Sequence, residues 1–426
     1  MSVSKRSRAA VWSGVALVAS SALLLTACAG GSTSGGSATA GADGVQPIAS
    51  GPRDLTLKLG SLLPQTGSLA FLGPPEIAGV DLGVADVNDA AAGIKVDVVH
   101  RDSGDTTTNT ATVSATDLLN QGVSAIVGAA SSGVTKTVID QITGAGVIQF
   151  SPANTSAQLT TWKDNGLYFR TAPSDVLQGE VLGNTIANDG VSTLGIIYLN
   201  DAYGSGLDKF VSEAFEKAGG KVVANEAFNE GDSNFASQIA AVTAAKPDAV
   251  ALITFDQAKT IAPALVAAGV KGSQMYFVDG NVADYSKDFT PGLLEGAKGT
   301  VPGLDTAKLG DFTERLLGVD STLTDYSYAA ESYDAVVLIA LAAYAANSTD
   351  GATIAKYLRQ VSGGVGGGEK VTNFKDGAKL LSEGKQIDYD GYSGPVTFDE
   401  NGDPTEATIG IYQAQNDNTW KRIGDG

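Results

Sequence analysis

The sequence predicts an α/β chain in two lobes, and three observations predict it. From Asp54 onward, short β-rich apolar runs alternate with longer runs of helical period, the pattern of a parallel sheet covered by helices on both faces. The order strand, helix, strand, helix runs once over residues 54 to about 170 and again over about 194 to 298. The stretch from Asp54 to Gly426 also exceeds the ~250 to 300 residues at which a single core stops growing, so two cores are the default.

Strands are expected at residues 55–63, 94–99, 125–127, 147–150, 194–199, 221–228, 249–254 and 275–278. Between them the 3.6-residue period predicts helices at 76–88, 110–120, 135–142, 176–188, 206–217, 235–244 and 261–268. A long Ala-rich helix follows at 329–346, then a Gly-rich stretch at 363–368. A turn-rich piece at 388–404 leads into a last apolar run at 409–412. No tandem repeat at solenoid or propeller spacing is present.

Ahead of this alternation stand Lys5, Arg6 and Arg8, then an apolar run at 15–25 too short and too soon interrupted to span a bilayer as a folded anchor. That is the pattern of a signal peptide, residues 1–27. It ends in Leu25, Thr26, Ala27 and Cys28, which resembles the bacterial lipobox, whose cysteine is acylated and becomes the new N-terminus. The resemblance implies an exported protein tethered to the outer face of the cell membrane through lipid on Cys28. Cys28 is the only cysteine, so no disulfide framework is expected, and lipidation accounts for the leftover thiol. Residues 28–53, mostly Gly, Ser, Thr and Ala, are expected to form a flexible spacer.

The formal net charge of −19 repels phosphates and anionic headgroups, so nucleic acid is not an expected partner. An enzyme is not expected either. The sequence holds one histidine, His100, read as a loop residue after its strand, and no thiol beyond Cys28, so a His-based triad has a single candidate and a metal cluster would need carboxylates alone. No Gly-x-Gly-x-x-Gly follows the first strand, which argues against a dinucleotide site, and no cofactor is expected.

Three segments carry a family resemblance. In the first, Gly60-Ser61-Leu62-Leu63-Pro64 runs into Thr66-Gly67 and a helix with Glu76, Gly79 and Asn88. The second reads Ser151-Pro152-Ala153-Asn154-Thr155, followed by Leu159-Thr160. The third reads Gly394-Pro395-Val396-Thr397-Phe398-Asp399, then Asn401-Gly402-Asp403-Pro404. With residues 328–336, and over essentially the whole mature chain, these resemble the branched-chain amino acid (Leu/Ile/Val-binding) type of ABC-transporter substrate-binding protein. That resemblance implies the type I periplasmic-binding fold: two Rossmann-like lobes joined by three crossing segments, placed near Thr171, Thr300 and Asp390, with the ligand cleft between them. The first lobe would take 54–170 plus 301–388, the second 171–300 plus 389–426. The implied function is capture of a small amino acid by hinge closure and delivery to an ABC transporter permease, by a monomer. Sensing through a receptor or kinase, or binding of urea, an amide or an aromatic acid, stand as alternatives.

A free amino acid is a zwitterion, so its binder needs donors for a carboxylate and acceptors for an ammonium. Ser131, Ser132 and Gly133 lie between a strand and a helix, where hydroxyls and free N–H groups converge on an anion. Read alone, Ser132 is first a helix cap; the resemblance implies that it binds the ligand carboxylate. The resemblance also implies that Ala153 offers its carbonyl to the ammonium and Thr155 its hydroxyl and N–H to the ligand's polar end. Asp279 follows a strand at the sheet edge where open α/β folds bind ligands, though read alone it is first a solvated turn residue. The resemblance aligns it with the acid that pairs the amino group. It likewise implies that Tyr203 closes over the ligand from the second lobe, and that Tyr333 and Leu72 shape the side-chain pocket. A second aromatic falls on Phe255 or Gln257, and the stretch at 363–368 lies outside the cleft.

Overall fold

The computed structural model describes residues 44–305 and 308–426, so the expected signal peptide, Cys28 and the expected spacer up to residue 43 lie outside the described residues. The first lobe is built on a parallel sheet of order β2-β1-β3-β4-β5. Its strands are β1 (Leu55–Leu63), β2 (Ile94–Asp102), β3 (Ala125–Gly128), β4 (Ile148–Ser151) and β5 (Tyr168–Arg170). The crossovers include α1 (Gly73–Asp89), α2 (Thr110–Asn120) and α3 (Ser132–Gly144). Strand periodicity sorts the faces: Leu57, Leu59 and Leu63 point into one core, whereas Leu62 packs with Ala115 and Val138 in the other.

The second lobe runs through α4 (Asp175–Asn188), β6 (Thr193–Leu199), α5 (Gly204–Lys217), β7 (Lys221–Phe228), α6 (Ala236–Ala244), β8 (Ala249–Ile253), α7 (Ala258–Ala267), β9 (Met275–Phe277) and β10 (Lys298–Pro302). The chain then returns to the first lobe as α8 (Phe312–Val319), α9 (Ala329–Ala346), α10 (Gly351–Val361), β11 (Glu369–Val371), α11 (Phe374–Ser382), β12 (Ile387–Gly391) and β13 (Gly394–Pro395). It ends in the second lobe with β14 (Ile409–Ala414) and β15 (Trp420–Asp425), antiparallel edge strands of a sheet ordered β15-β14-β10-β9-β8-β6-β7.

α9 is apolar on every side, and Ala329 to Ala345 are all buried. By length and composition it could cross a membrane, yet it is the central helix of the first lobe, packed by α1, α10 and α11. α1 reaches it closely because Gly79 and Gly83 present no side chain: a Cβ at Gly79 would stand 2.2 Å from the Ala329 carbonyl oxygen. The second lobe repeats the device. A Cβ at Gly179 of α4 would lie 2.4 Å from Cβ of Phe210 in α5, and one at Gly183 2.7 Å from Cβ of Ala214.

Two boundaries differ from the sequence reading. Residues 389–405, expected in the second lobe, stay on the first: Tyr389 donates to Asp334 of α9 (2.7 Å), and Phe398 packs on Phe150 and Phe169. The third crossing therefore falls between Thr405 and β14, not near Asp390. The described end of the spacer is also docked rather than free. Gln46 and Gln360 exchange hydrogen bonds of 2.7 and 3.0 Å, Ala49 N–H donates to the Ala345 carbonyl, and buried Arg53 donates to the Tyr344 carbonyl (2.7 Å) while lying over that ring. His100, read as a loop residue, is in β2, bonded to Ser61 (2.7 Å) and Asp81 (2.9 Å). Ser61 is fully buried on β1, so this chain of three groups ties a strand to α1 and presents no nucleophile.

Candidate functional site

Between the lobes lies a small, tightly closed cavity. Leu69, Leu72, Ala130, Ser131, Ser132, Ala153 and Thr155 line it from the first lobe; Tyr203, Phe255, Asp279 and Gly280 line it from the second, with Tyr328 between. The structure thus brings together seven of the eight ligand residues expected from the sequence.

On the first-lobe side, Ser131 is the N-cap of α3, its Oγ accepting from Val134 N–H (3.3 Å). The capping role that sequence alone assigned to Ser132 therefore belongs to its neighbour. Ser132 opens the helix, and its Oγ accepts from Ser156 N–H (3.3 Å). The Ser151–Thr155 loop is pinned against β3: Ser151 Oγ donates to the Ala129 carbonyl (2.7 Å) and accepts from Asn154 N–H (2.9 Å), while Asn154 Nδ2 donates to Ala129 and Ala130. Ala153, held in this loop, lines the cavity. The carbonyl of Ala153 receives no hydrogen bond among the described residues.

A buried residue that the sequence reading missed holds this loop from behind. Arg170 is fully buried at the end of β5 and grips Asp403 with two bonds of 2.7 and 2.6 Å. Its remaining donors reach the carbonyls of Asn154 (3.3 Å) and Ser156 (2.9 Å) and the hydroxyl of Thr160 (2.8 Å). The second and third motif segments are therefore two halves of one clamp.

From the second lobe, Asp279 follows β9 and is fully desolvated, which pushes its carboxyl above the usual range. Its Oδ1 accepts from Tyr203 (2.7 Å) and Gln178 (2.9 Å), and its Oδ2 from Tyr328 (2.8 Å), all of which pull the other way. Tyr203 stacks on Phe255 with ring centroids 5.4 Å apart. Of the two candidates for the second aromatic position, Phe255 faces the cavity, and Gln257 turns back to accept from Phe255 N–H.

Tyr333 is the correction. Its hydroxyl donates to Asp86 (2.6 Å) and its ring packs among Phe312 and Tyr392, away from the cleft. Five residues along a helix is a rotation of roughly 140°, and the tyrosine five positions earlier is the one that faces the cavity. Tyr328 precedes α9 with φ of 59°, left-handed backbone that a tyrosine rarely adopts. Asp175, in the first turn of α4, was also missed. It is fully buried without a well-formed hydrogen bond to its carboxylate, beside the equally unsatisfied Thr155 hydroxyl; burial first, then the charge of Asp279, raises its carboxyl well above normal.

The lobes are closed on each other. Ser68 Oγ donates to Glu230 (2.5 Å), Thr106 N–H to the same carboxylate (3.2 Å), and Ser156 Oγ to the Ala202 carbonyl (2.7 Å). Asp201 Oδ2 sits over Gly133, 2.7 Å from where a side chain there would begin.

A family model described as periplasmic binding protein matches residues 56–419. A chemotactic signal transduction system substrate-binding protein from Halobacterium salinarum is 27% identical over 358 residues, 79% of this chain and 82% of the relative. A leucine-, isoleucine-, valine-, threonine- and alanine-binding protein from Pseudomonas aeruginosa is 30% identical over 184 residues, 42% of this chain and 48% of the relative. Among solved structures, the branched-chain amino acid transporter substrate binding protein from Streptococcus pneumoniae in complex with isoleucine superimposes with a TM-score of 0.70. It is 23% identical, covering 87% of this chain and 98% of that one, a likeness of fold. With two lobes, a closed cleft and a family match over most of its length, the chain belongs to the periplasmic binding protein family and is a solute-binding protein, not an enzyme.

Proposed function

We propose that the protein captures a free amino acid, branched-chain or a related amino-bearing or amide compound, outside the cytoplasm and delivers it to an ABC transporter permease. One observation carries this reading: the cavity sets the start of α3, with Ser131 and Ser132, across from the Asp279 carboxylate, so a zwitterion meets donors at one end and an acceptor at the other. In this assignment Ser132 and Thr155 receive the carboxylate, while the Ala153 carbonyl and Asp279 receive the ammonium. Leu72 and Phe255 surround the side chain, and Tyr203 closes over it. Closure follows from the ligand's better fit to the closed lobes. Acylation of Cys28 would keep a monomeric binder within reach of its permease.

The test is a thermal-stability screen of the mature domain against amino acids, amides, urea and small aromatic acids. A ligand present at a hundred times its Kd adds about 2.7 kcal/mol to the native state. A flat response to all four classes overturns the reading, and a response confined to aromatic acids transfers the site to that class.

The name of the Halobacterium relative favours a second reading, a sensor that passes its ligand state to a receptor. Deleting the gene separates the two. Lost uptake of labelled ligand supports delivery; unchanged uptake with lost taxis supports sensing.

A further inference from the structure

Beyond Tyr328 a second, larger cavity of about 270 Å³ opens beside the crossing that follows β10. The segment 324–331 of the first lobe walls one side, with Asp325 and Glu331. The second lobe supplies Asp284, Tyr412 and Trp420 on the other. No lysine, arginine or histidine lines it among the described residues.

Glu331, in the first turn of α9, is only 6% exposed, and its carboxylate accepts from its own N–H and from no other residue among those described. The carboxylate reaches the opposite wall, where a side chain at Gly303 would begin 2.8 Å from Oε1. Behind it, Glu76 of α1 is fully buried with both carboxylate oxygens unpartnered, and it feels the charges of Glu331 and Asp325. Arg422 stands at the margin, but its donors are committed to Asp425, the Gly303 carbonyl and Tyr412. Asp284, Asp325 and Glu331 line the cavity, and no cation among the described residues answers them.

We propose that this cavity is a second binding site, for a small organic cation with a primary amine, guanidinium or quaternary ammonium head. Glu331 and Asp325 supply the counter-charge, and Tyr326, Tyr328, Tyr412 and Trp420 supply aromatic rings on which such a head is held by cation–π attraction. Burial pushes the Glu331 carboxyl up to about 8, and an arriving cation restores the charge that burial opposes. A bare divalent metal fits poorly. It needs roughly six or more oxygens converging on one point, and no group of three acidic side chains able to hold a metal occurs among the described residues. Since both lobes contribute to the wall, a bound cation favours the closed arrangement, the same one an amino acid in the first cavity favours. The two ligands therefore assist each other reciprocally.

The experiment is calorimetric titration of the mature domain with putrescine, agmatine and choline, with leucine absent and in excess, against sodium chloride at matched ionic strength. Saturable binding of at least one of the three, retained in excess leucine, is expected. Glu331→Gln is expected to weaken it by about tenfold or more, and Asp325→Asn, at a half-buried position, gives a second variant should the first fail to fold. Both variants keep the amino-acid response of the wild type. The proposal is overturned if none of the three binds saturably, if salt reproduces the heat, if leucine competes the cation away, or if every folded variant binds it as the wild type does. Absence of leucine binding would sink only the amino-acid reading, because the cation titration is read separately.

Discussion

At the residue scale, the site depends on groups whose partners are other buried groups. Asp279 accepts from two tyrosines and a glutamine, so Asp279→Ala removes the acceptor for an ammonium and also strands three donors. Amino-acid binding should weaken at least about tenfold with the cooperative melt retained; unchanged affinity by calorimetry would remove Asp279 from the site. Arg170 and Asp403 are a buried bidentate pair, and breaking such a pair from one side costs ~3–5 kcal/mol, because the remaining charge has no water to return to. Asp403→Ala should therefore lower the urea midpoint by a corresponding amount. It should also loosen the ligand, since the carbonyls of Asn154 and Ser156 lose the guanidinium that holds them. Destabilisation with wild-type ligand affinity would confine Arg170 to packing.

At the element scale, the lobes share a construction: a first helix with two glycines four residues apart, laid closely on a partner helix. Overfilling such a contact costs ~1–3 kcal/mol, so Gly79→Val should destabilise by at least that, against a 2.2 Å clash with the Ala329 carbonyl. Gly144, at the last turn of α3, has nothing within 4 Å, and Gly144→Ala should instead stabilise by ~0.5 kcal/mol. Urea titration of both reads the contrast, and equal effects would show that the close approach does not matter.

Elements with a long apolar run were legible in the sequence. β1 and β7 fall on their expected residues, and α9 agrees with its Ala-rich run. β5 was not legible, being three residues long, and β15 is a mostly exposed edge strand without an apolar run. α10 and α11 carry readable signals that went unused: Asp350 and Asn373 each accept the N–H of the residue three positions on, as N-caps do. The cavity residues came from motif order rather than local pattern. Arg170, Asp175 and Tyr328 were not legible because what makes each one matter is a partner far away in sequence.

At the scale of the whole molecule, buried acids dominate the response to pH. Asp201 and Asp334 titrate near about 6 and Glu331 near about 8, each raised first by burial. The folded chain holds these protons more tightly than the unfolded one, whose carboxyls titrate near ~4. Their stabilising effect is complete below that range and is lost as pH climbs through 6 to 8. The melting temperature of the unliganded protein should therefore fall between pH of about 5 and 8.5. A rise over that window would mean that one or more of these acids is not buried in solution.

The clamp on the ligand loop has a consequence in time. Arg170 and Asp403 are separated by 233 positions, and the strand that presents Arg170 belongs to the first sheet the chain completes. A polypeptide emerging from its N-terminus acquires both serines and the Ser151–Thr155 loop early, and the carboxylate that locks that loop among its last segments. Until then the Ser151–Thr155 loop stands without the carboxylate that latches it, and Arg170 waits with two of its donors unanswered.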